Sequence, residues 1–112
     1  MSVTGALATA ISGLLGQAQS VAVAANNIAN SSTPGYRPAE VSFTTVGAGG
    51  RGGVRAVVRA PAPFEADAGA GSEVDVAQEF GRLIQAQAAY DASAKMFGVA
   101  SRMTGSLLDI QS

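Results

Sequence analysis

Small and apolar residues recur every three or four positions over the first 30 residues, and this periodicity constrains the fold more than any other feature. The positions of this stripe are Val3, Leu7, Ile11, Leu14, Ala18, Val21, Ala25 and Ile28. Polar residues stand between them, as is typical of a helix that packs one face against another helix. The pattern predicts a helix over residues 3–30, about 40 Å long at a rise of 1.5 Å per residue.

A second stripe of the same period runs through the last third of the chain. Its positions are Val76, Phe80, Leu83, Gln87, Tyr90, Ala94, Phe97, Ser101, Thr104 and Leu108. Ser72 followed by Asp75 is close to a capping box and predicts a helix N-terminus there. A second apolar row makes this surface wider than one partner helix can cover, so we expect at least two neighbours. That row contains Ile84, Ala88, Met96, Val99, Met103, Leu107 and Ile110.

The segment between the two stripes predicts a small β-hairpin. The runs 41–46 and 54–59 are β-prone and are separated by the glycine-rich residues 47–53. Val54, Ala56 and Val58 would share one face of the second strand, with Arg55 and Arg59 on the other. Two strands alone are marginally stable, so the hairpin must lie on a helix or on a neighbouring subunit. Residues 61–64 predict a stiff, proline-rich extended piece anchored by Phe64.

These elements predict a mainly α fold in which two long terminal helices form an antiparallel coiled-coil hairpin, joined through the β-hairpin and an extended linker. We divide the single domain into an N-terminal helix over 1–30, a turn, hairpin and linker over 31–73, and a C-terminal helix over 74–112. The predicted helix-packing residues are Val3, Leu7, Ile11, Leu14, Val21, Ile28, Val76, Phe80, Leu83, Tyr90, Phe97 and Leu108. We expect Leu7, Ile11, Leu14, Leu83, Phe97 and Leu108 to be buried along the seam. Gly5, Gly13 and Gly16 weaken the first helix but would admit a close neighbour.

The composition favours assembly over an independent core. A chain of 112 residues holds one small domain, which is marginal without a partner, metal or disulfide. Much of the 47% apolar fraction is alanine, and only 5% of the residues are aromatic. There is no cysteine and no histidine, which excludes disulfides, thiol and imidazole catalysis and the usual transition-metal ligands. We therefore expect no catalytic, cofactor-binding or metal site.

Charge and hydropathy argue against further classes of protein. The net charge of −1 argues against nucleic-acid or anionic-membrane binding. No run of eighteen apolar residues occurs, and the N-terminus lacks the basic segment of a secretory signal peptide, so direct membrane insertion is not expected. Residues 31–60 carry a local charge of +3 and residues 61–79 a charge of −5, and these patches could meet between subunits.

Three local patterns suggest a ligand-binding site, but each departs from the sequence pattern that such a site requires. The glycine-rich residues 47–53 lack the Lys-Ser/Thr of a phosphate loop. The carboxylates of Glu65, Asp67, Glu73 and Asp75 have the wrong spacing for a calcium loop. Arg51, Arg55 and Arg59 have no interleaved aromatic residues for nucleic acid, so pairing between subunits is the preferred interpretation. Glu79 with Arg82 and Asp91 with Lys95 are spaced for ion pairs on one helix face.

The most informative short string joins the first helix to a tight turn. Asn30 suits a helix C-cap, and Thr33-Pro34-Gly35-Tyr36 matches a type II turn with glycine at the position of positive φ. The hydroxyl of Tyr36 would pin the emerging chain. The side-chain amides of Asn26, Asn27 and Asn30 would lie along one edge, where they could bind neighbouring chains or simply be solvated.

The two ends of the chain resemble the axial proteins of the bacterial flagellum, the rod, hook and hook-associated family. The string Ala25-Asn-Asn-Ile-Ala-Asn30 followed by Ser32-Thr-Pro-Gly-Tyr36 is similar to the N-terminal signature of that family. The segment 74–95 and the tail 107–110 are similar to its C-terminal helix. The motif positions are Asn26, Asn27, Ile28, Asn30, Thr33, Pro34, Gly35 and Tyr36. Residues 53–64 and the chain length resemble the short proximal rod proteins, because hook and distal rod proteins have additional outer domains.

The resemblance implies a structural subunit of the basal-body rod. Its terminal axial helices would pair as a coiled coil and stack into a helical tube that transmits motor torque. The implied partners are copies of the chain, other rod proteins and the flagellar type III export apparatus, with no cleaved signal peptide and a periplasmic location in the basal body. The alternative from another class is a stand-alone helical-hairpin adaptor or regulator that offers the same seam to a target helix.

Overall fold

The computed structural model describes residues 2–47, 52–61 and 71–111. The elements in chain order are α1 (Val3–Ala29), β1 (Glu40–Val46), β2 (Gly53–Arg59) and α2 (Val76–Ile110). The predicted mainly helical fold, with two long helices and a small hairpin between them, is therefore confirmed. The predictions for Arg51, Phe64, Glu65 and Asp67 lie outside the described residues.

Helix α1 begins and ends within one residue of the predicted bounds. The hydroxyl of Ser2 accepts a hydrogen bond from the backbone N–H of Gly5 at 3.0 Å and caps the N-terminus. Asn30 is the C-cap, as expected, and its N–H contacts the carbonyls of Asn26 and Asn27. No charged residue occurs in α1, and one 18-residue window has a mean hydropathy of 1.3. By length and composition alone α1 could cross a membrane, although polar residues interrupt its apolar runs.

Helix α2 begins at Val76, two residues later than predicted. Asp75 is the N-cap, and its carboxylate accepts from the N–H of Gln78 at 3.2 Å. The hydroxyl of Ser72 accepts instead from the N–H of Val74 at 3.3 Å. The prediction of Ser72 as the cap is wrong because its hydroxyl is used in a local turn two residues on, and the aspartate reaches the free N–H groups of the helix.

The two long helices pack antiparallel through small residues. Gly13 of α1 faces Ser93 of α2, while Ala24 lies in the same groove as Glu79 and Ala86 near the start of α2. A Cβ atom added at Gly13 would lie only 2.9 Å from the hydroxyl of Ser93. The buried apolar residues among those described are all alanines: Ala10, Ala24, Ala86 and Ala100. Small side chains on both helices allow this close approach, as expected for the glycines of α1.

The hairpin lies across α1. Strands β1 and β2 are antiparallel, with Phe43 opposite Ala56. The ring of Phe43 covers Gly16, where an added Cβ would be 2.8 Å from the ring. The register and the alternation of side chains place Val54, Ala56 and Val58 on the face of Phe43, toward α1. Arg55 and Arg59 therefore lie on the outer face, as predicted.

Side chains of α1 also bond the end of the hairpin. The hydroxyl of Thr9 donates to the carbonyl of Gly52 at 2.6 Å, and the hydroxyl of Ser12 accepts from the N–H of Val54 at 3.1 Å. These bonds satisfy a carbonyl just before β2 and an N–H of β2 that would otherwise face water at the sheet edge. The predicted need for a helix beneath the two strands is met within the chain.

Candidate functional site

Asn27 organises the end of α1. Its side chain is fully buried, at 0% exposure. The amide Nδ2 donates to the carbonyl of Ala39 at 2.9 Å, and Oδ1 accepts from the N–H of Ala39 at 3.0 Å. The side chain thus pairs with the backbone just before β1 as another peptide group would. Only an amide offers a donor and an acceptor in this geometry, so the residue fixes where the chain leaves the turn.

Tyr36 closes the same network from the turn. Its hydroxyl donates to Oδ1 of Asn27 at 3.0 Å and accepts from Nδ2 of Asn26 at 3.2 Å. The N–H of Tyr36 donates to the carbonyl of Thr33 at 3.2 Å, and Gly35 has a φ of 72°. The predicted type II turn and the pinning role of Tyr36 are both present in the structure.

The third asparagine stabilises the turn. Nδ2 of Asn30 donates to the carbonyl of Asn26 at 2.9 Å, and its Oδ1 accepts from the hydroxyl of Thr33 at 3.1 Å. The side chains of Asn26, Asn27 and Asn30 are therefore all used within one chain. These amides set the geometry of the helix end within one chain, and a role in binding neighbouring chains stays a prediction.

The turn is also joined to the segment that leads into α2. The carbonyl of Tyr36 accepts from the N–H of Glu73 at 2.9 Å. The guanidinium of Arg37 pairs with the carboxylate of Glu73 at 3.0 Å. The positive and negative segments predicted to meet between subunits thus meet at this point within the chain. Both terminal helices are held to one rigid corner.

The predicted helix-packing residues lie beside the intramolecular contact and not at its centre. Five of the six in α1 are half-buried, and Ile11 is 43% exposed. In α2, Leu83 is half-buried, and the other five are exposed: Val76, Phe80, Tyr90, Phe97 and Leu108. The expected burial of the larger residues is not achieved within one chain, because the helices approach through alanine and glycine and the larger side chains flank that line.

The second apolar row of α2 is uncovered along most of its length. Ile84 is 70% exposed and Ile110 81% exposed. Other large exposed members of this row are Met96, Val99, Met103 and Leu107. Leu15 of α1 is also exposed. We call the exposed large side chains of this row the α2 ridge: Ile84, Met96, Val99, Met103, Leu107 and Ile110. An apolar surface of this extent on one chain is typical of an interaction surface.

The burial of Glu79 is a feature of this site that the sequence did not predict. The predicted ion pair with Arg82 forms, with Nη1 of Arg82 2.8 Å from Oε1 of Glu79. The pair expected between Asp91 and Lys95 does not form. Glu79 is only 1% exposed, and its Oε2 has no hydrogen-bond partner. Its burial depends on the packing of α1 and β1 over α2, for which the local sequence carries no signal.

No part of the described chain offers a metal centre, since residues 2–47, 52–61 and 71–111 contain no group of three or more acidic side chains that could hold an ion. The geometry instead describes a stiff two-helix body with a fixed corner and an exposed apolar ridge. Such a body can pack against other chains along its length.

Comparison with protein-family models gives two matches, one at each end. The model described as "Flagella basal body rod protein" matches residues 7–37, which include most of α1 and the turn. The model described as "Flagellar basal body rod FlgEFG protein C-terminal" matches residues 70–110, which include α2. The matched regions are the two helices and the corner that joins them. A search of individually curated protein sequences gave no match.

Proposed function

The chain belongs to the flagellar basal-body rod family, and we propose that it assembles through α1 and α2, with copies of itself and other rod proteins, into a helical tube that transmits motor torque. It is a structural component of the flagellar basal body. The observation that carries the proposal is the apolar surface that one chain leaves uncovered.

A large apolar surface is left without burial in the single chain. The buried apolar residues in the described part of the chain are four alanines, and a buried methyl-sized group contributes roughly 0.8 kcal/mol. Complete burial of one larger side chain such as Ile84 contributes about 1.5–3 kcal/mol. Ordering one residue costs about 1–2 kcal/mol of backbone entropy. Neighbouring chains that cover the α2 ridge would supply the missing stabilisation.

The shape of the chain suits a load-bearing element. The molecule measures 69 × 26 × 16 Å, and both helices lie along the long direction. The corner at residues 26–39 is fixed by side-chain hydrogen bonds to backbone and by the type II turn. A twisting force applied to one helix would therefore reach the other through defined bonds and not through a flexible linker.

We propose a location in the periplasmic part of the rod, reached through the flagellar type III export apparatus without cleavage of a signal peptide. Only 11% of the apolar window in α1 is buried within the chain. We assign this uncovered surface to neighbouring rod helices and not to a membrane. The position along the rod, for which the sequence favours the proximal part, stays a prediction.

The experiment is complementation of a strain in which the gene for this chain is deleted, followed by purification of its basal bodies. Wild type and Gln78→Glu should restore complete basal bodies that contain the chain. Ile84→Glu places the same added charge on the α2 ridge and should leave the basal bodies stalled. Gln78 is an exposed polar position of the same helix and serves as the matched control.

Complete basal bodies in the deleted strain would contradict the proposal. Restoration by Ile84→Glu would contradict the role of the ridge. The adaptor alternative predicts a different result, in which the chain remains in the cytoplasm and is missing from purified basal bodies that are nevertheless complete.

A further inference from the structure

Glu79 has an unused acceptor in a buried position. One carboxylate oxygen pairs with Arg82, and the other, Oε2, has less than 1 Å² of exposed surface and no partner. Each carboxylate oxygen can accept more than one hydrogen bond. A buried carboxylate that lacks part of its hydrogen bonding is destabilising, so such a group calls for a specific explanation.

Glu79 lines a groove of about 570 Å³ between α1, β1 and α2. The polar side chains around it are Gln17, Ser20, Glu40, Arg82 and Gln85. None of their donors reaches Oε2 of Glu79, although four of them carry N–H or O–H groups that are otherwise suitable. Glu79 therefore keeps, beside the groove, an acceptor that the chain itself does not satisfy. Because Oε2 is closed to solvent in the single chain, a donor that enters the groove reaches it only after the carboxylate and the side chain of Arg82 shift.

The outer face of the hairpin carries the complementary groups. Arg55 and Arg59 are exposed on β2, on the side turned away from α1. Neither makes an ion pair within the described chain, and Arg59 does not pair with Glu40 opposite it in the register. A guanidinium is planar, always charged and long enough to enter a groove, and it is the preferred partner of a buried carboxylate.

We infer that an arginine on the hairpin of one copy, Arg55 or Arg59, enters the groove of a second copy and donates to Oε2 of Glu79. The inference rests on the proposed assembly of the chain and specifies one contact within it. The two surfaces are different, so the contact is head-to-tail. A row of copies joined by this contact has a free groove at one end and a free hairpin face at the other. Further copies can therefore add to it, and the row can close into a ring or continue as a helix.

The test is sedimentation velocity of purified chains at increasing concentration. Wild type should form oligomers that grow with concentration. Glu79→Gln keeps the size of the side chain but removes its charge, and the double variant Arg55→Gln/Arg59→Gln removes the donors from an exposed surface. Either change should raise the concentration needed for half-assembly about tenfold to a hundredfold, as expected for loss of a charged hydrogen bond. Lys95→Gln, an exposed cation without a partner on α2, should leave assembly unchanged.

Mixing the two variants separates a head-to-tail contact from a general effect of charge. The Glu79→Gln chain keeps its hairpin arginines, and the double variant keeps its Glu79. An equimolar mixture should therefore form dimers that contain one of each chain and do not grow further. If Glu79→Gln fails to fold, the double variant still tests the donors, because its substitutions are at exposed sites.

Unchanged assembly of the double variant, or no heterodimer in the mixture of folded variants, would overturn the inference. A wild-type chain that stays monomeric at every concentration would overturn the assignment of a second copy as the partner. Neither result affects the complementation experiment, which tests the rod function by the composition of basal bodies. The two proposals can thus fail separately.

Discussion

At the scale of single residues, only part of the structure at the end of α1, residues 26–36, was predictable from the sequence. The type II turn follows from Pro34 and Gly35, because their φ preferences are local. The pinning hydroxyl of Tyr36 was also predictable from its place after the turn. The pairing of Asn27 with Ala39 was not, since it joins residues twelve positions apart across a tertiary contact. The burial of Glu79 was not predictable for the same reason.

Asn27→Asp should weaken the corner. The substitution removes the donor to Ala39, which costs about 1–3 kcal/mol, and the buried charge adds to that cost. The measurement is the concentration of the osmolyte trimethylamine N-oxide at which half of the helix forms in the dilute chain, since excluded osmolytes favour burial. The midpoint should rise for Asn27→Asp. Asn26→Asp, at an exposed position, should move it much less, and equal shifts for both would contradict the central role of Asn27.

At the scale of elements, the sequence predicted both helices and the hairpin because each has a strong local period. It placed the start of α2 too early, because Ser72 and Asp75 are both good caps and only the folded chain shows which one reaches the helix. It also overestimated the burial of the large seam residues. Periodicity identifies a face but not the distance between two helices, and here Gly13, Ala24 and Ala86 set that distance.

Gly16→Leu should detach the hairpin from α1. Leucine favours helix more than glycine, but its side chain would displace the ring of Phe43, which already lies 2.8 Å from the position of a Cβ atom. The matched control is Gly81→Leu, since nothing lies within 4 Å of a Cβ added at Gly81. The osmolyte midpoint should rise for Gly16→Leu and fall for Gly81→Leu. A fall for both would mean that the hairpin contributes nothing to the order of α1.

At the scale of the whole molecule, the chain is an elongated scaffold with a small intramolecular core and a large uncovered apolar surface. The corner at residues 26–39 fixes how α1 enters the hairpin, and the alanine and glycine contact sets the two helices side by side. The α2 ridge remains for neighbours. The family membership agrees with this division, since the two matched regions are the helices and the corner. Order along the full length of both helices would then depend on assembly.

The most direct measurement is far-ultraviolet circular dichroism of the chain as a function of its concentration. The helices α1 and α2 comprise 27 and 35 residues, which defines the signal of the fully folded chain. Assembly-dependent order predicts a signal well below that value when the chain is dilute and alone, rising as oligomers form. A full helical signal that is independent of concentration, from a chain that stays monomeric, would contradict the claim that neighbouring subunits complete the fold.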